Sequence, residues 1–258
     1  TGYLQNYVPA DLMSAIPEAN RSPLVFCYMN KVLLYNNENG KPAPVTNLWQ
    51  LTEPKNKGKF FFKSPMQEGI NANFLTMLTK PEIAAQLAKA YEDLYHKKLE
   101  TKEKNAGYAW IKGAFQNGLV MGSSDTSMTE SLGIKGQNIT NVGLLNYSKV
   151  RYAVKKNLAV TAADKVAPFC GFYYPEYALL VKDAKHPAAA KLFIQFILSE
   201  EGYKFWQDDM GSYSGNSTLK PAKGDKPLSE WQKVMVGDDP QYIFEHRAEV
   251  EEFISKLM

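Results

Sequence analysis

The sequence predicts an α/β protein whose sheets are mainly parallel. Apolar runs of strand length alternate with amphipathic helices along the chain, and no internal repeat is present. With 258 residues the chain is long enough to bury a core, either as one large domain or as two lobes. Its 45% hydrophobic and 22% charged residues are typical of a globular protein.

The first part of the chain predicts strands joined by turns and one short helix. Residues 24–28 and 31–35 are enriched in Val, Phe, Leu and Tyr, as strands are. Thr46 is expected to cap a short helix over residues 47–51. The aromatic run Phe60–Lys63 predicts another short strand, which leads into a loop.

The middle of the chain alternates between helical and strand patterns. Apolar stripes, caps and turn residues predict these elements in order: helices 70–78, 81–95 and 106–115, strand 119–121, helix 127–132, strand 141–145, a helix ending near 157, and strand 158–161. Helices between successive strands favour parallel pairing, because a crossover helix returns the chain in the same direction.

The most informative stretch runs over residues 174–206. Residues 177–181 form an apolar run of strand length, and Pro187 opens a helix where its missing N–H costs nothing. Ser199, followed by two acids, is expected to cap a second helix. A last helix is predicted at 239–257. The apolar residues of the Pro187 helix recur at the spacing of one buried face: Leu192, Phe193, Phe196 and Ile197.

Charge, hydropathy and cysteine content exclude several classes of protein. Thirty basic and 27 acidic residues give a net charge of +3, which is too balanced to indicate a nucleic-acid partner. The sequence contains no run of about 18 apolar residues, so no membrane span is predicted. No signal peptide is expected at the N-terminus. Cys27 and Cys170 lie in apolar contexts and are expected to be buried thiols, with a disulfide left open if the protein is exported.

Two distant segments carry a family pattern. The later one comprises Leu180, Val181, Lys182, Ala184, His186, Pro187, Ala190, Lys191, Phe193, Ile194, Phe196, Leu198, Ser199, Glu201 and Gly202. The earlier one comprises Tyr35, Asn36, Pro44, Thr46, Trp49, Leu51, Pro54, Lys55, Gly58, Lys59, Lys63, Ser64 and Pro65. Together they resemble the periplasmic solute-binding proteins of bacterial ABC importers, in the branch that includes ferric-iron, thiamine, phosphonate and sugar-phosphate binders.

The resemblance implies a two-lobed type II periplasmic binding protein fold with a hinge. In that family a longer stretch precedes the strand that ends at Tyr35, so we expect the N-terminal lobe to be incomplete. Open sheet edges then make self-association a fair expectation. The predicted lobes are residues 1–40 with 166–225, and residues 41–165. A helical tail over 226–258 is expected to pack on the second of these.

The first candidate site is the loop after the Phe60–Lys63 strand. A loop before a helix exposes N–H groups at the positive end of the helix dipole, which suits a carboxylate or phosphate. The alternative is an ordinary helix cap. Since the resembling family uses this loop at its inter-lobe cleft, ligand contacts are expected from Ser64, Met66, Gln67, Glu68 and Gly69.

The second candidate site is a hydroxyl-rich loop that opens the next helix. Its hydroxyl and N–H groups can donate to an anion, whereas its one carboxylate suits a sugar hydroxyl better than a bare phosphate. The alternative is a set of turn residues and a cap. We expect both loops to meet over one anionic ligand from separate halves of a hinged molecule. The predicted contacts are Ser123, Ser124, Asp125 and Thr126.

Tyrosines decide between an anionic solute and iron. Ferric-iron members of the resembling family carry adjacent tyrosines after the strand that matches residues 142–145, because phenolate oxygens suit a hard cation. This chain has one tyrosine there, and the pair Tyr173–Tyr174 comes one segment later. An anionic solute is therefore favoured over iron. Contacts to the solute's ring or hydroxyl groups are expected from Tyr28, Asn30, Tyr147 and Tyr173.

These observations predict a receptor that captures a small anionic solute, such as a sugar phosphate or phosphonate, in an inter-lobe cleft. It would deliver the solute to an ABC permease in the inner membrane, from the periplasm or a lipid-anchored extracytoplasmic position. No cofactor, metal site or catalytic residue is expected. The alternatives are a ferric-iron receptor and a phosphate-ester hydrolase, the latter disfavoured because no GxGxxG, P-loop or GxSxG motif occurs.

Overall fold

The computed structural model describes residues 2–258, which form a mixed α/β structure. The strands are β1 (Leu4–Gln5), β2 (Val25–Tyr35), β3 (Phe60–Lys63), β4 (Val120–Gly122), β5 (Val142–Asn146), β6 (Thr161–Ala162), β7 (Gly171–Tyr177), β8 (Leu180–Val181), β9 (Tyr213–Ser214) and β10 (Val236–Gly237). The α-helices are α1 (Gly69–Leu78), α2 (Pro81–Tyr95), α3 (Ala106–Gln116), α4 (Asp125–Gly133), α5 (Ser148–Lys155), α6 (Pro187–Ile197), α7 (Glu200–Asp208), α8 (Leu228–Gln232) and α9 (Pro240–Ser255). Short 3-10 helices occupy Ala10–Leu12, Glu18–Asn20, Glu38–Gly40, Leu48–Thr52 and Pro54–Asn56.

The chain divides into two compact units. The first unit contains the described residues up to Asn30 together with Tyr173–Trp231, and the second contains Lys31–Phe172 and Gln232–Met258. The predicted boundaries at 40, 166 and 225 lie near these transitions, and the assignment of the units to family lobes stays a prediction. No helix within residues 2–258 combines the length and the apolarity of a membrane span.

The second unit is built on a sheet with the strand order β2-β5-β3-β4. β3 is parallel to both β4 and β5, whereas β2 is antiparallel to β5. The prediction of mainly parallel sheets is therefore wrong for β2. The parallel strands β3, β4 and β5 are joined through α-helices. Only short 3-10 helices separate β2 from β3, so no crossover helix returns the chain in the same direction between them.

Aromatic rings fill the core of the second unit beside this sheet. The ring of Phe62 lies 6.4 Å from that of Phe74, which in turn lies 5.9 Å from Phe172. Helix α9 packs against α1, where Arg247 donates to the Asn73 amide oxygen at 3.2 Å. The tail helix thus belongs to the second unit.

The first unit packs α7 against its portion of β2. The Phe26 ring meets Trp206 and Tyr203 edge-on, at centroid distances of 4.9 and 5.8 Å. β9 pairs antiparallel with β2, and β1 pairs antiparallel with β8. Ser199 caps α7 by accepting the Gly202 N–H at 3.2 Å, as predicted.

Three local predictions are corrected. Strands 24–28 and 31–35 are one continuous strand, β2, since Met29 and Asn30 keep the extended conformation. The run 177–181 is not one strand: β7 ends at Tyr177 and β8 begins at Leu180, because the Ala178 N–H turns to donate to the Leu24 carbonyl at 3.0 Å. The short helix after residue 46 is capped by Asn47 rather than Thr46, in a capping box with Gln50.

The predicted buried face of α6 is also wrong in part. Leu192, Phe193 and Phe196 are exposed, Phe193 at 61% of its surface, whereas Ile194 and Ile197 are buried. Helical spacing locates a stripe, but the packing of α7 and β8 against α6 decides which stripe is covered. The exposed residues form an apolar surface on the first unit.

This difference in burial makes a direct prediction for neighbouring residues. Ile194→Ala is expected to lower the free energy of unfolding by at least about 2 kcal/mol, because it empties a buried site. Phe193→Ala is expected to change it by less than about 0.5 kcal/mol, because the ring is already in solvent. Urea denaturation of both variants measures the contrast, and equal losses would contradict the observed burial.

Both cysteines are free thiols and both are buried. Burial, reinforced by the negative charge of Glu176, raises the pKa of the Cys27 thiol to about 12. The thiolate is therefore scarce at neutral pH, and Cys27 is expected to be unreactive toward alkylating reagents.

Candidate functional site

Both predicted loops follow the carboxyl ends of neighbouring parallel strands. Lys63 at the end of β3 lies opposite Gly122 at the end of β4, and the Ser64 N–H donates to the Gly122 carbonyl at 3.3 Å. Ligands of α/β sheets bind at this edge. Both loops belong to the second unit, as the span 41–165 implies, so the expectation that separate halves carry them is wrong.

The first loop is a tight turn before α1. The Gln67 and Glu68 N–H groups donate to the Ser64 carbonyl at 3.1 and 3.0 Å, so these two groups are already used. The Met66 and Gln67 side chains are exposed. Gly69 begins α1, and the Asn71 N–H donates to the Glu68 carbonyl at 3.1 Å. The N–H groups of Gly69 and Ile70 precede this first helical bond and lie at the positive end of the helix dipole.

The second loop is shorter than predicted because Asp125 and Thr126 already belong to α4. The Ser124 hydroxyl accepts the Thr126 N–H at 3.1 Å, and Thr126 Oγ1 accepts Lys149 Nζ at 2.9 Å. The Ser123 side chain is exposed. Ser124 therefore acts as a helix cap, which is the alternative that its sequence context left open.

A buried ammonium lies between the two loops. Lys31, with 2% of its side chain exposed, places Nζ 2.5 Å from Glu68 Oε2 and 3.5 Å from Asp125 Oδ2. The position follows from register, since Lys31 pairs with Asn146 at the carboxyl end of β5. Lys31 is not among the site residues predicted from the sequence. The signal that could have found it is a lysine inside an otherwise largely apolar strand.

The surrounding charges leave this cluster with an excess of positive charge. Lys63 Nζ lies 3.1 Å from the other Glu68 oxygen, and Lys149 reaches Thr126. Lys31 and Lys63 thus pair with two carboxylates, and the Lys149 ammonium on the neighbouring Thr126 adds a third positive charge, which favours an anion. Asp125 Oδ2 also accepts the Asn146 N–H at 3.1 Å, while Asp125 Oδ1 is buried and has no hydrogen-bond partner among residues 2–258.

Tyr147 stands at the same edge of the sheet. It precedes α5 directly after β5, and the Arg151 guanidinium lies 5.7 Å from the centre of its ring. The Asn146 side chain accepts the Ser148 N–H at 2.9 Å and so fixes the turn that carries the tyrosine. Tyr147 therefore directly follows Asn146, the residue that pairs with Lys31 across the sheet.

The remaining predicted residues, Tyr28, Asn30 and Tyr173, belong to the first unit. The Tyr28 hydroxyl donates to Asn20 Oδ1 at 2.8 Å, and its ring centroid is 6.3 Å from that of Tyr173. Burial, followed by the neighbouring Tyr173, raises the pKa of Tyr28 above its ordinary value. Asn30 is 2% exposed, and neither amide atom finds a hydrogen-bond partner within residues 2–258. Tyr174, the other member of the predicted pair, is buried.

The described residues include no group of three His, Cys, Asp or Glu side chains that could hold a metal ion. Glu68 and Asp125, the two carboxylates between the loops, already share Lys31 as their counter-ion. Among the predicted site residues, tyrosine phenols are the other oxygen groups of the type that hard cations prefer.

Comparison with known proteins identifies a family. The model of a family described as "Bacterial extracellular solute-binding protein" matches residues 1–209. A search of curated protein sequences found no match.

Solved structures share the fold at low sequence identity. Iron-bound HitA from Pseudomonas aeruginosa is 17% identical, with a TM-score of 0.71 over 98% of this chain and 76% of that protein. A ferric binding protein from Campylobacter jejuni is 15% identical, with a TM-score of 0.68 over 99% of this chain and 78% of that protein. The Trichodesmium protein IdiA (FutA), in complex with iron and citrate, is 16% identical, with a TM-score of 0.65 over 99% and 77%.

Proposed function

Since the chain belongs to the bacterial extracellular solute-binding protein family, we propose that it is a receptor that captures ferric iron outside the cytoplasm, in the periplasm or at a lipid anchor. It delivers this cargo to the permease of an ABC importer. The observation that carries the proposal is the fold shared with proteins named for iron or ferric binding. Iron thus takes precedence over the sugar phosphate that the sequence favoured.

Two neighbouring phenols in the first unit support tyrosine ligation of the iron. Ferric iron is a hard cation that prefers anionic oxygen, and phenolate supplies it. The ring centroids of Tyr28 and Tyr173 are 6.3 Å apart, and a cation bound by Tyr28 would replace the hydrogen bond that its hydroxyl donates to Asn20. Because the pKa of Tyr28 is raised, the bound cation has to displace a phenolic proton. Iron affinity is therefore expected to rise with pH.

A specific observation favours a second candidate, a small anionic solute. The cluster around Lys31 carries three ammonium groups against two carboxylates, at the carboxyl edge of a parallel sheet. The first turn of α1 adds N–H donors there. A phosphate or carboxylate would bind this cluster as a free solute.

Ferric iron titration tests the first candidate. Adding Fe(III)-nitrilotriacetate to the purified protein is expected to produce a visible tyrosinate charge-transfer band. Tyr28→Phe and Tyr173→Phe are each expected to weaken iron binding at least about tenfold, on the order of 1.4 kcal/mol. Tyr177→Phe, on the same strand as Tyr173 and 40% exposed, serves as the control and is expected to keep the band.

The outcomes separate the two candidates. A protein that stays colourless at saturating Fe(III), or an iron affinity that falls as pH rises from about 5 to 8, would rule out tyrosine-held iron. Heat released on titration with inorganic phosphate or citrate without iron would then support the anionic solute. The absence of both signals would reject each candidate ligand while leaving the family membership intact.

A further inference from the structure

The Glu68 carboxylate sits where the acidic group of a ligand would be expected. Glu68 is the residue before α1, yet its side chain makes no capping hydrogen bond. Its two oxygens instead bridge Lys31 Nζ at 2.5 Å and Lys63 Nζ at 3.1 Å. A carboxylate between two ammonium groups beside a helix N-terminus has the surroundings that recognise carboxylates and phosphates in general.

Burial differs between the partners of this ion pair. The Lys31 side chain is 2% exposed and comes from the middle of an interior strand, so it cannot leave. The Glu68 side chain is 21% exposed and stands at the junction of a turn and a helix, from which a rotamer change reaches solvent. The mobile member of the pair is therefore the carboxylate.

Lys31 needs a close anion at all times. A buried ammonium without a partner is strongly unfavourable. Asp125 alone does not replace Glu68, since its Oδ2 is 3.5 Å from Lys31 Nζ and also accepts the Asn146 N–H. Glu68 can thus move away only when another negative group takes its place, which makes the two events an exchange.

We propose that Glu68 is a built-in competitor of the ligand: its carboxylate occupies the anion position on Lys31 and Lys63 until a phosphate or carboxylate group displaces it. This inference rests on the proposed receptor function, because it concerns how the same protein selects the acidic group of its solute. Glu68 lowers the affinity for every anion, and it discriminates most strongly against weakly charged ones. It is therefore a specificity-determining residue of the second unit.

The experiment uses inorganic phosphate as the probe, with isothermal titration calorimetry on the full chain. Glu68→Gln keeps the size of the side chain and removes its charge, so phosphate is expected to bind at least about tenfold more tightly than to the unaltered protein. Glu68→Ser, which also shortens the side chain, is expected to give the same gain. Thermal unfolding of each variant verifies that it is folded.

Glu103→Gln is the matched control. Glu103 is 19% exposed and pairs with Lys112 at 2.6 Å in the same unit, so it reproduces the burial and the pairing of Glu68 away from Lys31. An equal gain in Glu103→Gln would show that net charge alone is responsible and would overturn the proposal. Unchanged or weaker phosphate binding in both Glu68 variants would overturn it as well, as would no binding in any of them.

The Fe(III) titration distinguishes this inference from the proposed function. If the protein binds no iron but Glu68→Gln gains affinity for phosphate, the competitor role holds and the iron cargo is rejected. If iron binds and the Glu68 variants show no gain, the receptor function holds and the competitor role is rejected.

Discussion

Replacing Lys31 with methionine is expected to lower the free energy of unfolding by about 3–5 kcal/mol. Methionine keeps the unbranched length and removes only the ammonium, which leaves Glu68 and Asp125 without their shared counter-ion. The Asp125 side chain is 11% exposed and tied to the Asn146 N–H, so it cannot turn to water. Urea denaturation, with hydrogen exchange of the β5 amides to follow the second unit, measures the loss.

Two further variants separate the buried charge from ordinary effects of the substitution. Lys89→Met breaks an exposed pair with Asp93 four residues along α2, and is expected to cost no more than about 0.5 kcal/mol. The double variant Lys31→Met/Asp125→Asn is expected to recover part of the loss, because it also removes the stranded charge. A loss in Lys31→Met no larger than that in Lys89→Met would contradict the buried ion pair.

Lys31 also illustrates where the sequence stops being informative about the site. Its strand was predicted, because Val, Leu and Tyr dominate the local pattern. Its role depends on partners 37 and 94 residues away, which local patterns do not encode. The sheet register that brings Lys31 opposite Asn146 is likewise a non-local property.

The two loops show the opposite case. Strands β3 and β4 and the helices after them were predictable from apolar runs and turn residues, so both loops were located along the chain. Their meeting at one edge of one sheet was not predicted, because the pairing of β3 with β4 is a non-local property. The hydrogen-bond partner of each polar atom in the loops could not be predicted from these patterns. The Ser124 hydroxyl could equally bind a ligand or cap a helix. In the structure it caps α4 by accepting the Thr126 N–H.

Burial on helix α6 was the least predictable feature. The helix itself was expected from Pro187 onward, and it begins there. Two overlapping apolar stripes exist on it, and the stripe that contains Ile194 is the covered one. A period of 3.6 residues identifies an apolar face but not its orientation, which depends on the neighbouring elements α7 and β8.

Fold and ligand chemistry carry different information about this receptor. The family to which the chain belongs is one of solute-binding proteins. Fold alone does not determine the solute, because ligand choice depends on a few side chains. The phenol pair of the first unit and the ammonium cluster of the second are such groups, and they favour a hard cation and an anion respectively.

Gly171→Ala is expected to have the largest effect of any single methyl addition near the site. A Cβ at Gly171 would lie 2.1 Å from the Lys31 carbonyl oxygen and 3.0 Å from the Val32 Cα, and both are backbone atoms that cannot rotate away. β7 and β2 are held at this distance by the bond from the Leu33 N–H to the Cys170 carbonyl, at 2.9 Å. We expect a loss of more than about 4 kcal/mol, or failure of the second unit to fold.

Gly113→Ala provides the comparison for this substitution. Its Cβ would meet the Thr52 side chain at 3.0 Å, and a side chain can shift by a few tenths of an ångström. Alanine is also favoured over glycine inside a helix by about 1 kcal/mol, and Gly113 lies within α3. This variant is therefore expected to stay within about 1 kcal/mol of the parent by urea denaturation. A Gly171→Ala variant as stable as Gly113→Ala, with unchanged phosphate binding, would contradict the close approach of β7 to β2 beside Lys31. The Lys31 ammonium would then not be held in a fixed position. The competitor role of Glu68 depends on that fixed position and would lose its support.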